Sequence, residues 1–238
     1  MTAEETQTKS ALADKVKEFL TQFKDPTGSF SYVEQIDQMM PKQAKYIVVD
    51  FNDLVSVPFI ESKFVESPDE ILHAFSRAIK EILQERFPEY ARKIEHEIRA
   101  RIANFPAERS LRQINSEVIT KMISVSGMVV RASEVKPLAK EVTYKCLDKH
   151  ISVFTLLDGM SLNTSVKCQT PNCKHTSLAI IPEESRFIDF QIVRLQELPE
   201  DLPPGQLPHY VNVSMKQDLV DYARPGDRIV LTGIVRIE

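Results

Sequence analysis

The sequence predicts an α+β fold, with a helical bundle in its N-terminal part and a small β-barrel in the rest. Three observations support this prediction. Apolar residues recur at helical spacing through residues 1–105, and β-rich runs separated by proline and glycine follow from residue 106. Every cysteine lies either at the end of one of these runs or between it and the next. We therefore expect three parts: the bundle, the barrel and a metal-binding insertion within the barrel.

Residues 1–105 are expected to form four helices and one strand. Each helix has an apolar face at helical spacing, and two of them begin with the spacing of a capping box, Ser31 with Glu34 and Ser67 with Glu70. The helices are predicted from Ala11 to Phe23, from Ser31 to a stop at Pro41, from Ser67 through Leu83, and after Pro88 as far as Ile102. The strand is the apolar run YIVVDF at 46–51, which we expect to be buried.

Five β-rich runs predict the barrel. They are residues 122–133, 140–146, 186–196, 209–215 and 227–237. Gly127 and Gly233 lie within two of these runs, where glycine would permit the bends that close a five-stranded sheet. The oligonucleotide-binding (OB) barrel is one fold of this size.

The three cysteines and a nearby histidine predict a structural zinc site. Cys146-x3-His150 and Cys168-x4-Cys173 are two ligand pairs on either side of a connecting loop. All four donors are nitrogen or sulfur, so the expected tetrahedral Zn²⁺ would have no open position for a catalytic water. There are two alternatives: the cysteines are reduced and buried without a metal, or His175 replaces His150 or Cys173 as a ligand.

Composition and motifs argue against several functions. The 30 basic and 34 acidic residues give a net charge of −4, which excludes a generally basic nucleic-acid coat and leaves only a local site for a polyanion. No two of the six glycines have the spacing of a dinucleotide fingerprint or a phosphate loop, so this segment should not hydrolyse nucleotides. The polar N-terminus and the lack of a long apolar run predict a cytoplasmic protein without a membrane anchor.

Three stretches of the sequence carry a family resemblance. They are RSLRQINSEVITKMISVSGMVVRASEVKP (109–137), SRFIDFQIVRLQELPEDLPPGQLP (185–208) and DLVDYARPGDRIVLTGIVR (218–236). They closely resemble the N-terminal domain of the minichromosome maintenance (MCM) replicative DNA helicases, most of all an archaeal member. The resemblance covers about residues 10–238.

The resemblance implies a domain arrangement and a set of partners. It assigns residues 1–105 to a helical subdomain, 106–141 with 183–238 to an OB-fold subdomain, and 142–182 to a zinc-binding subdomain inserted into the OB fold. It also implies a homo-oligomer, expected to be a hexameric ring, that binds single-stranded and also duplex or fork DNA as a nucleoid-associated archaeal protein. The ATPase domain, with its ATP and Mg²⁺, is expected in a longer parent chain, of which this chain would be an N-terminal fragment that ends before a basic β-hairpin.

The resemblance also implies which residues contact DNA. Arg131, Lys136 and Arg194 match positions with this role in the family, where each cation neutralises a phosphate. His209 stands where family members usually carry arginine, so its contact with phosphate should be weaker, since a neutral histidine offers one donor and no fixed charge. Arg186 and Arg236 are weaker candidates. The alternative is a solvated charged face without a ligand.

The segment Gln196–Pro208 resembles the family loop that reaches toward the ATPase tier and couples the two rings. Its four prolines make it semi-rigid, unlike a simple connection between strands. The residues expected to act in this coupling are Gln196, Glu197, Glu200, Asp201 and Gln206. The alternative is an ordinary long loop.

Three functions are compatible with these residues. The first, which we expect, is a DNA-binding and ring-assembly platform of a replicative helicase, without a catalytic site of its own. The second is a purely structural hexamerisation collar. The third is a zinc-dependent nucleic-acid enzyme, for which the only nearby acids are Asp148 and Asp158, and neither has the spacing of a zinc protease or a deaminase.

Overall fold

The computed structural model describes residues 3–25, 28–95, 97–106, 108–156, 167–171, 173, 175 and 178–237, without the side chains of residues 3–10 and 108. The chain divides into two compact units. Met1–Ser126 with Val230–Ile237 form one, called the helical unit, and Gly127–Ile229 form the other, called the sheet unit. Both divisions fall inside predicted barrel strands, and the three-subdomain arrangement stays a prediction.

The described part of the helical unit contains six α-helices and a two-stranded parallel sheet. Its elements are α1 (Ala3–Gln22), α2 (Ser31–Lys42), β1 (Tyr46–Asp50), α3 (Phe51–Leu54), α4 (Pro58–Glu66), α5 (Pro68–Arg86), α6 (Pro88–Ile94), β2 (Arg99–Ala103) and the short β3 (Glu108–Arg109). Helix α5 carries the largest share of the core, because Ile71, Phe75, Ile79 and Leu83 follow one face at helical spacing and are fully buried. The predicted helical bundle is therefore present.

The strand β1 pairs in parallel with β2, from Tyr46 opposite Arg99 to Asp50 opposite Ala103. Side chains alternate along β1, so Ile47 and Val49 are buried while Tyr46 and Val48 are exposed. The predicted strand is confirmed, but it is buried on one face only.

The end of the helical region differs from the prediction. Helix α6 ends at Ile94, and the residues beyond it enter β2 instead of continuing the helix to Ile102. Ile94, Ile98 and Ile102 do fit a helical face, but Ile98, Ala100 and Ile102 also alternate at the two-residue period of a strand. Residues from Arg99 onward form a strand because they pair with β1, and neither sequence pattern shows that this pairing occurs.

The predicted helix caps are also corrected. Ser31 is the first residue of α2 and not its N-cap, and Ser67 precedes α5 without a side-chain capping hydrogen bond. Pro41 lies inside the last turn of α2, which ends at Lys42. The helix stops there because Gln43 adopts a left-handed conformation with a φ of 50° and donates its backbone N–H to the carbonyl of Met40.

Seven further strands complete the β-structure of the described chain. They are β4 (Met122–Ala132), β5 (Lys136–Lys145), β6 (Ile151–Thr155), β7 (Ala179–Ile180), β8 (Arg186–Gln196), β9 (Tyr210–Lys216) and β10 (Arg228–Ile234). The pairs that β4 through β9 form with one another are antiparallel. All five predicted strands are confirmed, as β4, β5, β8, β9 and β10. The sequence patterns missed β6 and the two-residue β7.

Strand β8 organises the sheet unit because it pairs along both of its edges. One edge pairs with β9 without interruption, from Phe190 opposite Lys216 to Gln196 opposite Tyr210. The other edge pairs with β5 through its first half and with β4 through its second half. Val193 and Leu195 on one face of β8 are buried, while Arg194 on the other face is exposed.

Gly127 in β4 is required by a close approach and not by a bend. A Cβ atom at this position would lie 2.7 Å from the carbonyl oxygen of Gln196 and 2.7 Å from Cγ of Leu195. The irregularity in the pairing of β4 with β8 lies further along, between Val129 and Arg131. No helix in the described ranges is long and apolar enough to cross a membrane.

Candidate metal centre and nucleic-acid interface

The first pair of metal-ligand candidates lies at the turn between β5 and β6. These strands pair as far as Lys145 opposite Ile151, which leaves Cys146 and His150 at the end of the hairpin. The backbone N–H of Cys146 donates to the carbonyl of His150 at 3.0 Å, and that of Lys149 donates to the carbonyl of Cys146 at 2.9 Å. Lys149 closes the turn with a φ of 64°. The turn therefore holds both ligand candidates at one place.

The second pair, Cys168 and Cys173, comes from the segment that follows β6. The backbone N–H of Cys173 donates to the carbonyl of Thr170 at 3.2 Å, which gives a tight turn between the two cysteines. Hydrogen bonds from the backbone and side chain of Thr170 lower the pKa of the Cys168 thiol to about 6. A thiol with a lowered pKa loses its proton readily, which is what a metal ligand must do.

The structure brings all four predicted metal ligands together. The nearest donor atoms of Cys146, His150, Cys168 and Cys173 all lie within 4.8 Å of one another, and Sγ of Cys168 is 3.9 Å from Nδ1 of His150. A tetrahedral zinc with Zn–S bonds of about 2.3 Å separates two thiolates by roughly 3.8 Å. The three cysteines form no disulfide. The spacing and chemistry of the donors therefore fit Zn²⁺.

His175 lies beside this cluster. Its Nε2–H donates to Oδ2 of Asp148 at 3.1 Å, and these two side chains form a second close group with Cys173. Asp148, one of the two acids considered for an enzyme, is thus engaged by a histidine. Asp158, the other, lies outside the described residues.

A second candidate site lies on the exposed face of β8 and its neighbours. Arg131 on β4 lies directly opposite Arg194 on β8, and both side chains are exposed. Residues opposite each other in an antiparallel pair share one face, and two like charges placed this way repel. Within the described part of the chain, Arg131 forms no ion pair. The two arginines therefore concentrate positive charge at one place on the exposed face.

The same face continues along β8 toward its start. Phe190 lies four residues before Arg194 and therefore on the same side, with Lys136 of β5 opposite it on one edge and Lys216 of β9 on the other. At the other end of the face, Gln196 pairs with Tyr210 of β9. We call Arg131, Lys136, Arg194, Tyr210 and Lys216 the basic face.

Tyr210 adds an aromatic ring to the basic face. The guanidinium carbon of Arg194 lies 4.6 Å from the centre of the Tyr210 ring, within the range of a cation–π contact. The tyrosine is 48% exposed. The ring therefore contacts the arginine and still exposes aromatic surface to solvent.

The three weaker DNA candidates are placed differently. Arg186 donates to Oε1 of Glu141 at 2.9 Å, and within the helical unit Arg236 is paired with Asp69. Both guanidinium groups are therefore already neutralised by a carboxylate. The side chain of His209 is exposed next to Tyr210.

The segment Gln196–Pro208 is tied at both ends. Glu197 is 2% exposed, its Oε2 accepts the backbone N–H of His209 at 3.3 Å, and its own N–H donates to the carbonyl of His209 at 3.1 Å. Glu200 pairs with Arg228 at 2.8 Å. Its pKa is lowered first by its own backbone N–H and then by the Arg228 guanidinium. Asp201 and Gln206 are exposed.

Comparison with known proteins assigns both parts of the chain. The sequence profile of the MCM N-terminal domain matches residues 13–104, and that of the MCM OB domain matches residues 110–238. The chain belongs to the minichromosome maintenance (MCM) family. The resemblance carried by the sequence motifs is thereby confirmed, as is the OB type of the antiparallel sheet. The matched domains are the non-catalytic part of MCM proteins.

Curated MCM relatives come from both eukaryotes and archaea. The chain is 31% identical over 240 residues to DNA replication licensing factor MCM4 of Drosophila melanogaster, covering 95% of this chain and 27% of that protein. It is 32% identical over 228 residues to minichromosome maintenance protein MCM of Saccharolobus solfataricus, covering 93% and 33%. The chain thus spans about a quarter to a third of the length of these relatives. Such similar identities leave the archaeal assignment a prediction.

Three residues on the exposed face of β8 and β9 were not predicted from the sequence: Phe190, Tyr210 and Lys216. The register between the strands is what places them there. Phe190 and Lys216 lie in the same cross-strand row as Lys136, and Tyr210 lies two residues along β9 from Asn212, which is opposite Arg194. A strand pattern shows which residues share a face of one strand, but it does not show which residue of the next strand lies opposite.

Proposed function

We propose that this MCM N-terminal segment binds single-stranded DNA across the basic face. The observation that carries the proposal is the pairing of Arg131 with Arg194 in one row of the sheet, where the two charges repel unless an anion lies between them. A phosphate neutralised by a cation also releases counterions, which favours binding. Lys136 and Lys216 extend the positive charge along β8.

The composition of the basic face favours binding that depends on phosphate and not on base sequence. No acidic residue occupies the registered positions opposite Phe190 through Gln196, all of which are described. The exposed Tyr210 ring offers a surface on which any base can stack, since every base has a π-face. The expected ligand is therefore single-stranded DNA of any sequence, with duplex or fork DNA as further ligands that use the same cations.

The Cys/His cluster is proposed to be a structural zinc site. Cys146, His150, Cys168 and Cys173 would supply all four ligands, so no position is open for a reacting water. Zinc bound there would contribute folding energy by cross-linking the β5–β6 turn to the segment that carries Cys168 and Cys173. This role agrees with the position of Asp148, whose carboxylate is engaged by His175.

Assembly and coupling are proposed from membership of the family. The segment is inferred to help form a hexameric ring around DNA, and Gln196–Pro208 to reach a separate ATPase domain that binds ATP and Mg²⁺. The contacts of Glu197 and Glu200 support a stiff coupling segment, since both hold it to the sheet unit. As part of such a helicase, the segment would support DNA unwinding in replication.

A salt titration tests DNA binding against a purely structural collar. Fluorescence anisotropy of labelled single-stranded DNA is measured from low to high salt for the wild type and for the double variant Arg131→Ala, Arg194→Ala. The variant should bind more weakly, and the log–log salt slope should flatten by about 0.7 for each phosphate that is no longer neutralised. Sequence preference should hardly change.

The control is Arg77→Ala, Arg92→Ala, which removes the same charge from the helical unit. It should keep the wild-type slope. An equal slope in all three proteins would refute the basic face as the DNA site, and no binding by the wild type would favour the collar.

A further inference from the structure

Two side chains beside the metal centre connect the segments that carry its ligands. Asp148 lies between Cys146 and His150 in the β5–β6 turn, and His175 lies two residues beyond Cys173 in the second segment. Nε2–H of His175 donates to Oδ2 of Asp148 at 3.1 Å. This contact crosses from one ligand pair to the other without using a donor of the proposed ligand set.

The backbone of His175 contacts both cysteines of its own segment. Its carbonyl oxygen accepts the backbone N–H of Cys168 at 3.1 Å. Its backbone N–H hydrogen-bonds to the thiol of Cys173. One residue therefore fixes Cys168 and Cys173 through its backbone and the opposite turn through its ring.

We propose that Asp148 and His175 form a clamp that preorganises the zinc site, with His175 as a positioning residue and not a ligand. The inference rests on the zinc site proposed above. Groups that orient metal ligands from outside the coordination shell slow metal loss, because the ligands are held in place when one bond breaks. Among the described residues, the second segment is also held to β6, where the backbone N–H of Gln169 donates to Oγ of Ser152 at 3.2 Å and Sγ of Cys168 lies 3.8 Å from the same oxygen. The contact of Asp148 with His175 ties it to the β5–β6 turn itself.

A clamp residue and a metal ligand can be distinguished by two measurements, the coordination of the metal and the rate of its release. Removal of a ligand changes the number and type of donors around the metal, whereas removal of the clamp keeps the same donors and weakens their hold on the metal, which is measured as faster release. Co²⁺ is a suitable probe, since its visible absorption reports the number and type of ligands. The chain is therefore loaded with Co²⁺, its absorption bands are recorded, and release to excess chelator is followed by stopped flow.

Asp148→Ala and His175→Ala should keep the wild-type cobalt bands and release the metal about 10- to 100-fold faster. Because the two residues act as one unit, the double variant should release the metal no faster than the quicker single variant. Asp148→Asn keeps an acceptor for the histidine N–H and should recover most of the wild-type rate.

Three controls make the outcomes distinct. His73→Ala and Glu183→Ala replace residues of similar chemistry outside the metal centre and should leave release unchanged, while Cys168→Ser removes one of three thiolates and should weaken the thiolate charge-transfer band. Wild-type bands with unchanged release in both clamp variants would refute the clamp alone. Changed bands in His175→Ala would make His175 a ligand and also refute it. A wild type without cobalt bands would refute the zinc site together with the clamp.

Discussion

Replacing Arg131 by glutamate should make the protein more stable while weakening its binding to DNA. Arg131 and Arg194 lie directly opposite each other on β4 and β8, so Arg131→Glu turns a like-charge pair into an opposite-charge pair. Two unit charges about 5 Å apart in water interact by roughly 0.8 kcal/mol. Measured cross-strand charge pairs are worth about 0.2–1 kcal/mol.

The stability gain should be measurable as a change in Tm. For a chain of this size, a change of 1 kcal/mol in the free energy of unfolding shifts Tm by about 2–4 °C. Arg131→Glu should therefore raise Tm by roughly 0.5–4 °C at low salt. The gain should shrink near 1 M salt, where the Debye length falls to about 3 Å. Differential scanning calorimetry at two salt concentrations, without DNA, measures both effects. Anisotropy should show weaker DNA binding by the same variant.

Two further variants separate the charge pair from other causes. Arg131→Gln removes the repulsion without adding an attraction and should have an intermediate Tm. The double variant Arg131→Glu, Arg194→Glu restores like charges in the same row, and it also removes the cation–π contact of Arg194 with Tyr210. It should therefore abolish the gain. If Arg131→Glu is no more stable than Arg131→Gln at low salt, the two side chains do not interact and their pairing gives no reason to expect an anion there.

Two other predictions concern the frame that carries the basic face. Gly127→Ala should lower the free energy of unfolding by about 1–3 kcal/mol in a urea titration, because the new Cβ would lie 2.7 Å from the carbonyl oxygen of Gln196. The control is Gly233→Ala, where the nearest atom to the new Cβ would be 3.4 Å away. Unchanged stability would contradict the close approach. Arg228→Gln should raise the pKa of Glu200 toward its ordinary value in a carboxyl NMR titration, because the guanidinium helps to hold it low. Because folding lowers the pKa of Glu200, its carboxylate stabilises the folded state at pH values above its ordinary pKa, and this contribution is lost as the pH falls through the pKa of the folded state. An unchanged NMR titration in Arg228→Gln would show that the ion pair is not formed in solution.

The sequence predicted elements well where one local period was unambiguous. The face of α5 shows only the helical period, and β8 alternates over its second half, so both were placed from the pattern. Residues 98–102 carry both periods, and the pairing with β1 places those from Arg99 onward in a strand. The same limit applies to Ser67, where the spacing of a capping box is present but the side-chain hydrogen bond is not formed.

For the candidate sites as well, local patterns could be predicted from the sequence and long-range contacts could not. Four metal ligands were predicted from their spacing along the chain, since each pair is closed by a local turn, and the structure brings the two pairs together. The contact of Asp148 with His175 joins residues 27 positions apart and has no local signal. Lys216 and Tyr210 were missed for a similar reason, because their place on the basic face depends on the register of β9 against β8.

The double pairing of β8 makes this strand unusually intolerant of changes in length. Its residues set the positions of β9 on one edge and of β4 and β5 on the other. A deletion or insertion of one residue between Phe190 and Arg194 would turn one of these two side chains toward the buried face and shift the rows of three neighbouring strands at once. If the basic face binds DNA as proposed, replacing one cation would lower DNA affinity by one contact, whereas a change in the length of β8 would displace all of these contacts together. Relatives that use this face should therefore vary in residue type along β8 while keeping its length.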